Sequence, residues 1–238
     1  MEADTRKISI CVTHFNRSDM IGKCIEAALK DDRVNEIIIV DDRSETEEFK
    51  KLCEYVDNVN DSKKIKLHRN NVNIGCYQNK KRAIEWASKE WVCIWDSDNV
   101  FNKEYIDKLF EYGYWNPENI YSPSFARPFD YRQFEGRVLN RQNISKFVTY
   151  QRFDAMMNTM NYFVNKEEYL KVWDKEGNPY AIDSIYHNLQ WIKSGRNFFV
   201  VPGLNYDHTV HKGSLYMKEG HITQQLHKSI INEFKIMR

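Results

Sequence analysis

The chain has 238 residues, enough for one large domain with a substantial core. Apolar residues make up 42% of it, aromatic residues 14%, and the formal net charge is +1. A nearly neutral chain without a long basic run has no electrostatic basis for binding nucleic acid. No stretch approaches the length of a membrane span, although peripheral contact with a membrane stays open.

Cysteine usage and the N-terminus bear on the cellular compartment. The five cysteines are odd in number, scattered and without a CxxC pair, which predicts reduced thiols. The segment MEADTRKISICVTHF lacks the apolar core of a signal peptide. We therefore expect a cytoplasmic protein.

Up to about residue 102, strand and helix patterns alternate. The segments with strand patterns are KISICVTHF, NEIIIVDD, KIKLHRN and WVCIWDSD. The segments with helix patterns are SDMIGKCIEAALK, with Ser18 or Asp19 as N-cap, ETEEFKKLCEYVDNV and CYQNKKRAIEWASKE. This order predicts an α/β fold with a mainly parallel central sheet and helices on both of its faces.

The pattern changes after Asn102. Helices are predicted for KEYIDKLFEYGYW, NKEEYLKVWD and IDSIYHNLQWIKSG, and a strand for NFFVVPG. Between them, Ser122 to Arg152 has little periodicity. No repeat or low-complexity linker separates the parts, so we expect a single domain over residues 1–238 with two halves, about 1–102 and about 103–238.

Three of the four strands predicted in the first half end in polar residues. They are Thr13-His14-Phe15-Asn16-Arg17, Asp41-Asp42-Arg43-Ser44 and Asp96-Ser97-Asp98. In open α/β sheets the carboxyl ends of the strands form the ligand site. A buried unpaired carboxylate costs several kcal/mol, whereas Mg²⁺ or Mn²⁺ would remove that cost and take further ligands from phosphate and water. The pair Asp96 and Asp98 thus predicts a metal that holds a diphosphate, although a D-x-D alone is also common in polar loops.

Four ordered segments carry a more specific signal. They are ISICVTHFNRSDMIGKCIEAAL, NEIIIVDDRS, NVNIGCYQNKKRAI and WVCIWDSDNV. In this order and spacing they resemble the GT-A domain of family-two glycosyltransferases, closely from Ile8 to about Tyr105 and loosely beyond. The chain departs from the family pattern at Thr13-His14, where the family has Pro-Thr, and at Asn79-Lys80-Lys81, where it has Ala-Arg-Asn.

This resemblance implies a GT-A fold whose first half binds a nucleotide-sugar and whose second half binds the acceptor. The residues it places in or beside the donor nucleotide pocket are Thr13, Phe15, Arg17, Asp42, Gly75, Lys80 and Asp96. Of these, Asp42 would accept a hydrogen bond from the base, and Gly75 would let the backbone approach the nucleotide.

The resemblance also implies a metal shell. Asp98 would ligate the metal, and Asp96 would face the ribose or a metal-bound water. In YDHTVHKGS a histidine would complete the shell, His208 in the first instance and His211 in reserve. Lys212 suits either contact with a diphosphate or a solvated surface position.

The segment NPYAIDSIYHNLQWIKSGRNFFVVPGLNYDH resembles the family's E-D-x-x-L-x-x-R-L-x-x-x-G region. Asp183 stands where the family has its catalytic base, which would deprotonate the acceptor hydroxyl. Ile182 replaces the preceding Glu. The alternative is that Asp183 only caps a helix.

One segment of the second half, SFARPFDYRQFEGRVLNRQNISKFVTYQRF, is rich in basic and aromatic residues. Its cationic residues are Arg127, Arg132, Arg137, Arg141, Lys146 and Arg152. It suits either an acceptor loop for an anionic acceptor or a solvated loop.

Together these features predict a metal-dependent glycosyltransferase that moves a sugar from a nucleotide-diphosphate donor, UDP-linked by preference, to a hydroxyl of a glycan or other acceptor. The family resemblance implies inversion and Mn²⁺ or Mg²⁺ as cofactor. Three alternatives stay open. One is a retaining GT-A enzyme, and another is a nucleotidyltransferase, which would need a glycine-rich loop that THFNRSDM lacks. The third is a non-catalytic GT-A module, against which the intact D-x-D argues.

Overall fold

The computed structural model describes residues 5–59, 63–177, 179–211 and 215–237. Within them, nine strands form one sheet. They are β1 (Ile8–His14), β2 (Val34–Asp41), β3 (Ile65–Arg69), β4 (Trp91–Asp96), β5 (Asn119–Arg127), β6 (Phe129–Asp130), β7 (Val138–Leu139), β8 (Phe163–Asn165) and β9 (Asn197–Asp207). The α-helices in the same ranges are α1 (Ile21–Lys30), α2 (Thr46–Val59), α3 (Cys76–Trp86), α4 (Lys103–Phe110), α5 (Phe153–Met157), α6 (Lys166–Lys171), α7 (Asp183–Lys193) and α8 (Leu215–Ile236).

The sheet is mixed but mostly parallel, as predicted. Its order is β3-β2-β1-β4-β8-β5-β9-β7, with β6 paired to β5. The first four strands run parallel to one another, and β5 runs parallel to β9. The three-residue strand β8 is antiparallel to both of its neighbours and so joins the two parallel groups. Neither β5 nor β8 was predicted from the sequence.

The central strands are apolar because they are covered on both faces. All seven residues of β1 are buried, and so are the last six of β2. Helix α1 packs one apolar stripe against the sheet through Ile21, Cys24, Ile25 and Ala28. Repeated apolar residues on helices and continuous apolar strands are what a two-sided α/β sheet requires.

Several predicted helix ends were wrong, among them the end of α3, which lies at Trp86 rather than near Glu90. Helix α1 has Met20 rather than Ser18 or Asp19 at its N-cap. The hydroxyl of Ser18 instead donates to Glu48 Oε2 at 2.6 Å, which ties the start of α1 to α2. Helix α4 ends at Phe110 rather than near Trp115, because the Trp115 indole folds back and donates to the Leu109 carbonyl at 2.9 Å.

No helix in the described part of the chain combines the length and apolar character needed to cross a bilayer. All five cysteines are free thiols.

A buried carboxylate holds the amino ends of the central strands together. Glu36 of β2 is only 1% exposed. It accepts hydrogen bonds from Ser9 Oγ at 2.7 Å and from the backbone and hydroxyl of Ser88, and it pairs with Lys66 Nζ at 2.5 Å. Burial alone would raise the pKa of Glu36, but these partners outweigh it and lower that pKa to about 2.

We therefore predict that Glu36→Gln lowers the free energy of unfolding at pH 7 by about 1–3 kcal/mol, since buried donors lose a charged acceptor. An unfolded glutamate has a pKa of about 4.3. The carboxylate's contribution is thus present above that pH and is lost as pH falls toward 2. Urea denaturation should show a wild-type advantage at pH 7 that shrinks at pH 3.

The control is Glu47→Gln, which changes an exposed glutamate of α2 and should match the wild type at both pH values. A gap between wild type and Glu36→Gln that stays constant from pH 7 to pH 3 would contradict the assignment.

Candidate active site

The ends of β1 and β4 lie side by side at the carboxyl edge of the sheet. Thr13 pairs in register with Asp96, and the Ser97 amide donates to the Thr13 carbonyl at 3.1 Å. The Thr13 hydroxyl also donates to Asp96 Oδ1 at 3.3 Å. The parallel topology therefore brings together Thr13, the second-last residue of β1, and Asp96, the first acid of the D-x-D, at the edge where the sequence predicted polar residues to gather.

The ammonium group of Lys80 joins the two halves of the chain. Lys80 projects from α3, is 3% exposed, and places Nζ 3.0 Å from Asp96 Oδ1 and 2.7 Å from Asp183 Oδ2. Asp183 is the first residue of α7 and is 6% exposed. The acid at the end of β4 and the candidate base of the second half thus contact the same nitrogen atom.

The protonation states of this group follow from their mutual charges. Burial disfavours the charged form of Lys80, but Asp183 and Asp96 outweigh burial and raise its pKa. Burial likewise opposes ionisation of Asp96, and the ammonium of Lys80, then the guanidinium of Arg17, lower its pKa. At neutral pH, Lys80 is therefore a cation and Asp96 a carboxylate.

Asp183 does not serve as the helix N-cap, a position that Ile182 occupies in α7. Its Oδ1 accepts from the Ser184 amide at 3.0 Å while Oδ2 faces Lys80. A carboxylate offers about four lone-pair positions, so acceptor capacity is left over for a further partner.

Asp98 turns to different partners. Its Oδ2 accepts a hydrogen bond from Arg17 Nη1 and lies 3.0 Å from His211 Nε2. The segment after β9 is held over the D-x-D by a bridge between Val100 and Asp207 and by the Thr209 amide, which donates to Asn99 Oδ1 at 3.1 Å. His211 reaches Asp98 because this segment is tied there.

The donor set suits a hard divalent cation. Asp96, Asp98 and His211 offer carboxylate oxygens and an imidazole, which Mn²⁺ and Mg²⁺ sites use. Within the described ranges, no three His, Cys, Asp or Glu side chains are close enough together to enclose a metal by themselves. The residues therefore fit a cation that takes most of its ligands from a bound diphosphate and water.

His208 lies near the two acids but bonds elsewhere. Its Nδ1 is 3.4 Å from Tyr206 Oη, and its ring packs edge-on against Phe129. Burial lowers the pKa of His208, and the negative charges of Asp98 and Asp96 oppose that shift only in part. His208 is thus neutral at pH 7, whereas the hydrogen bond to Asp98 comes from His211. Lys212 lies outside the described residues.

Asp42 and Gly75 form a second group beside the first. The Asp42 carboxylate accepts from the amides of Ile74 and Gly75 and from Asn70 Nδ2, at 2.8 to 2.9 Å. Gly75 has φ +82°, a conformation that favours glycine, and a Cβ built there would meet no atom within 4 Å. Open space therefore faces the Gly75 backbone, while most of the acceptor capacity of Asp42 goes to the loop that leads into α3.

The first turns of α3 also hold the loop that carries Asp183. Gln78 Nε2 donates to the carbonyls of Asp174, Lys175 and Gly177, at 3.0 to 3.2 Å. The Cys76 thiol donates to the Tyr180 carbonyl at 3.2 Å. Burial raises the pKa of Cys76, which keeps this thiol protonated as a donor.

The remaining predicted residues lie apart from these contacts. Phe15 is 45% exposed at the edge of the sheet. In the basic segment, Arg127 pairs with Asp207 and Arg132 with Asp130, so acids of the chain already balance two of its charges. The exposed cations of this segment are Arg132, Arg137, Arg141, Lys146 and Arg152.

Sequence reasoning missed Asn161, whose side chain forms a hydrogen bond with the backbone of Asp96. Its backbone has φ +99°, and its Oδ1 accepts from the Asp96 amide at 3.2 Å, beyond the last backbone pair of β4 and β8. A buried asparagine just before a short strand gives no signal in the sequence.

Comparison with known proteins places this geometry in a family. The model of glycosyl transferase family 2 matches residues 9–176. An uncharacterised glycosyltransferase of Mycoplasma genitalium is 29% identical over 109 residues, which are 44% of this chain and 37% of that protein. The chain thus spans little more than a third of that relative's length.

Two solved structures share the fold. TarS of S. aureus in complex with UDP-GlcNAc superposes with a TM-score of 0.66 at 16% identity, over 95% of this chain and 66% of that one. The mannosyltransferase PcManGT of Pyrobaculum calidifontis, in complex with GDP-Man and Mn²⁺, gives 0.66 at 14% identity, over 98% and 70%. At these identities the likeness shows the fold, a GT-A-type glycosyltransferase domain.

We predict that Lys80→Met destabilises the protein by about 3–5 kcal/mol at pH 8, because it leaves the buried carboxylate of Asp183 and the half-buried one of Asp96 without their shared cation. Without the ammonium group, burial would raise the pKa of Asp96, so the loss appears as pH rises and is smaller at pH 5. Urea denaturation at both pH values measures it.

Lys81→Met provides a matched control on the same helix. Lys81 pairs with Glu85 at i,i+4 on the surface, so its replacement should cost less than about 0.5 kcal/mol. If the two variants were equally stable, the bridging role of Lys80 would be wrong.

Proposed function

The chain belongs to glycosyl transferase family 2, and on that premise we propose that it is a glycosyltransferase that transfers a sugar from a UDP-linked donor to an acceptor hydroxyl with inversion, using Mn²⁺ or Mg²⁺. The observation that carries the proposal is the shared contact of Asp96 and Asp183 with Lys80 Nζ. Asp96, the acid on the proposed donor side, and Asp183, the candidate base, therefore lie on either side of the Lys80 ammonium group.

The donor nucleotide would lie along the carboxyl edge of β1, β2 and β4. Thr13 and Arg17 border it on one side, and the open backbone at Gly75 on the other. The exposed ring of Phe15 offers a surface for the base. The acceptor capacity that the loop leaves on Asp42 would be used by a hydrogen bond from the nucleotide base.

Charge balance supports a divalent cation. Three carboxylates, Asp96, Asp98 and Asp183, face two cationic side chains, Lys80 and Arg17. A diphosphate brings more negative charge to the same place, which costs energy unless a cation accompanies it. When bound beside Asp98, with His211 or His208 as a second ligand, the metal would supply positive charge to the departing diphosphate.

The place of Asp183 supports inversion. The acceptor oxygen would attack the anomeric carbon from the face opposite the diphosphate, and its proton would pass to the Asp183 carboxylate. The bond from the anomeric carbon to the diphosphate oxygen breaks as the new glycosidic bond forms, and Lys80 and Arg17 stabilise the charge that leaves. Lys80 and the Ser184 amide fix the orientation of the base through the reaction.

The donor is tested by isothermal titration calorimetry with UDP and GDP in Mn²⁺ and in EDTA. We predict that UDP binds in Mn²⁺ and binds at least about tenfold more weakly in EDTA. Asp98→Asn should lose this metal dependence, since it keeps an acceptor for Arg17 but removes the charge that holds the cation.

Asp57→Ala, an exposed acid of α2, is the control and should behave as the wild type. Equal affinity for UDP in Mn²⁺ and EDTA would refute the metal part of the proposal, and tighter binding of GDP would refute the choice of nucleotide.

We predict that Asp183→Asn reduces sugar transfer by about 10²–10⁴-fold, the usual effect of losing a general base. The fold and UDP affinity should be retained, because the amide is isosteric and Lys80 keeps Asp96 as its counter-charge. Transfer, melting temperature and UDP affinity are measured on the same preparation.

Asp154→Asn is the matched control, since Asp154 is also an acid in the first turn of a helix but is exposed. Transfer by Asp183→Asn at the rate of this control would remove Asp183 from the role of base.

A further inference from the structure

A groove on the surface separates helix α8 from the segment that leads into α5. Its volume is about 560 Å³, within the range of sites that hold small molecules or short stretches of chain. One wall consists of residues 148–150 and Asp154, and the α8 wall includes His227, Lys228, Ile231, Asn232 and Lys235. None of the residues of the candidate active site lines this groove.

Buried aromatic rings hold the two walls together. Phe153 of α5 and Phe234 of α8 are both buried, and their ring centroids lie 5.8 Å apart. On the first wall, the ring of Tyr150 packs against Phe147 at 5.4 Å and against Phe134 at 5.8 Å. Both walls are therefore anchored in the packed interior of the protein.

The lysines on the α8 wall lack acidic partners. Several lysines on other helices pair with an acid three or four residues away, as Lys30 does with Glu26. Lys228 and Lys235 are exposed and form no ion pair within the described residues. The positions three and four residues before them hold amides and an isoleucine, namely Gln224, Gln225, Ile231 and Asn232. The two ammonium groups are thus free to bind a ligand.

The first wall has positive charge beside it and contains one acid. Lys146 and Arg152, which flank residues 148–150 in the sequence, are exposed and without an acidic partner in the part of the chain that the structure describes. Of the described lining residues, Asp154 alone is acidic, and its Oδ1 accepts from the Ala155 amide at 2.8 Å. Positive charge therefore exceeds negative charge around the groove.

The spacing of the two lysines indicates an extended ligand. Lys228 and Lys235 are two helical turns apart, which puts them on one face of α8 with about 10 Å between them along the axis. A single phosphate group is too small to contact both, whereas negative groups repeated along a chain can do so. Tyr150 supplies one exposed ring to the described lining, not the row of rings on which a single-stranded nucleic acid stacks its bases.

We propose that this groove binds a linear polyanion, a chain of phosphate groups that contacts Lys228 and Lys235 in succession. The concave shape suits a chain that lies along α8 and does not suit the flat surface of a membrane. This site is separate from the proposed donor and base positions, so it does not depend on the function proposed above.

The test measures binding of short-chain inorganic polyphosphate by isothermal titration calorimetry in EDTA, so that no metal holds the chain at the proposed donor site. Wild-type protein is expected to bind polyphosphate more tightly than orthophosphate. The double variant Lys228→Gln/Lys235→Gln should bind it at least about tenfold more weakly and with less dependence on salt, because two cations that displace counterions are lost. Asp154→Asn should bind it about two- to threefold more tightly, because a like charge leaves the groove.

The matched control is Lys23→Gln/Lys50→Gln. It removes two exposed lysines of α1 and α2 that also form no ion pair within the described ranges, and it should bind polyphosphate as the wild type does. Melting temperature and UDP affinity in Mn²⁺ should be unchanged in all three variants. Failure of UDP to bind the wild type would count against the donor proposal and not against the groove.

Three results would overturn the site: no binding of polyphosphate to the wild type, orthophosphate binding as tight as polyphosphate binding, or an equal loss in the two double variants. Two further results would overturn the choice of ligand. One is tighter binding of an oligothymidylate with the same number of phosphates. The other is binding to phosphatidylglycerol vesicles that Lys228→Gln/Lys235→Gln abolishes while its binding of polyphosphate is retained.

Discussion

The buried ammonium group of Lys80 is the contact on which the geometry of the site depends. Asp96 comes from the parallel first half and Asp183 from the second half, and without a cation between them the half-buried carboxylate of Asp96 and the buried one of Asp183 would repel each other. Desolvating three charges costs several kcal/mol, so such a cluster is weak evidence for a gain in stability. We infer that the cluster positions the site, because Lys80 fixes Asp183, the candidate base, relative to Asp96 on the proposed donor side.

Helix α3 connects the donor side of the site to the acceptor side. At its start, Asp42 holds the loop that enters it, and Asn79 donates to the Val40 carbonyl at 3.0 Å, which locks the helix to the end of β2. The same turns hold the Asp183 loop through Cys76 and Gln78. A site whose two sides are held by one rigid helix is preorganised. A displacement at Gly75 would move Asp183 through the contacts that Cys76 and Gln78 make with the loop before it.

Sequence patterns predicted which residues meet at the ends of regular strands. They did not predict the positions that depend on tertiary contacts. Thr13, Lys80, Asp96 and Asp183 converge because parallel strand ends and a helix start dictate it. Strand β8 is only three residues long, and its neighbours set its pairing. Asn161 has φ +99° just before β8 begins to pair with β4, and no local sequence pattern indicates this conformation. The metal ligands, the base and the donor contacts stay predictions.

The two acids of the D-x-D do not owe their burial to a metal. The sequence argument held that acids at the end of an apolar strand need a cation from outside, yet Lys80 neutralises Asp96, and Arg17 pairs with Asp98. The turn in which the Asn99 amide bonds to the Asp96 carbonyl sends the two carboxylates to different partners, one toward the base and one toward the segment after β9. The case for a divalent cation therefore rests on the charge that a diphosphate would bring. Asp98, which faces His211, is the acid best placed to bind such a cation together with the diphosphate.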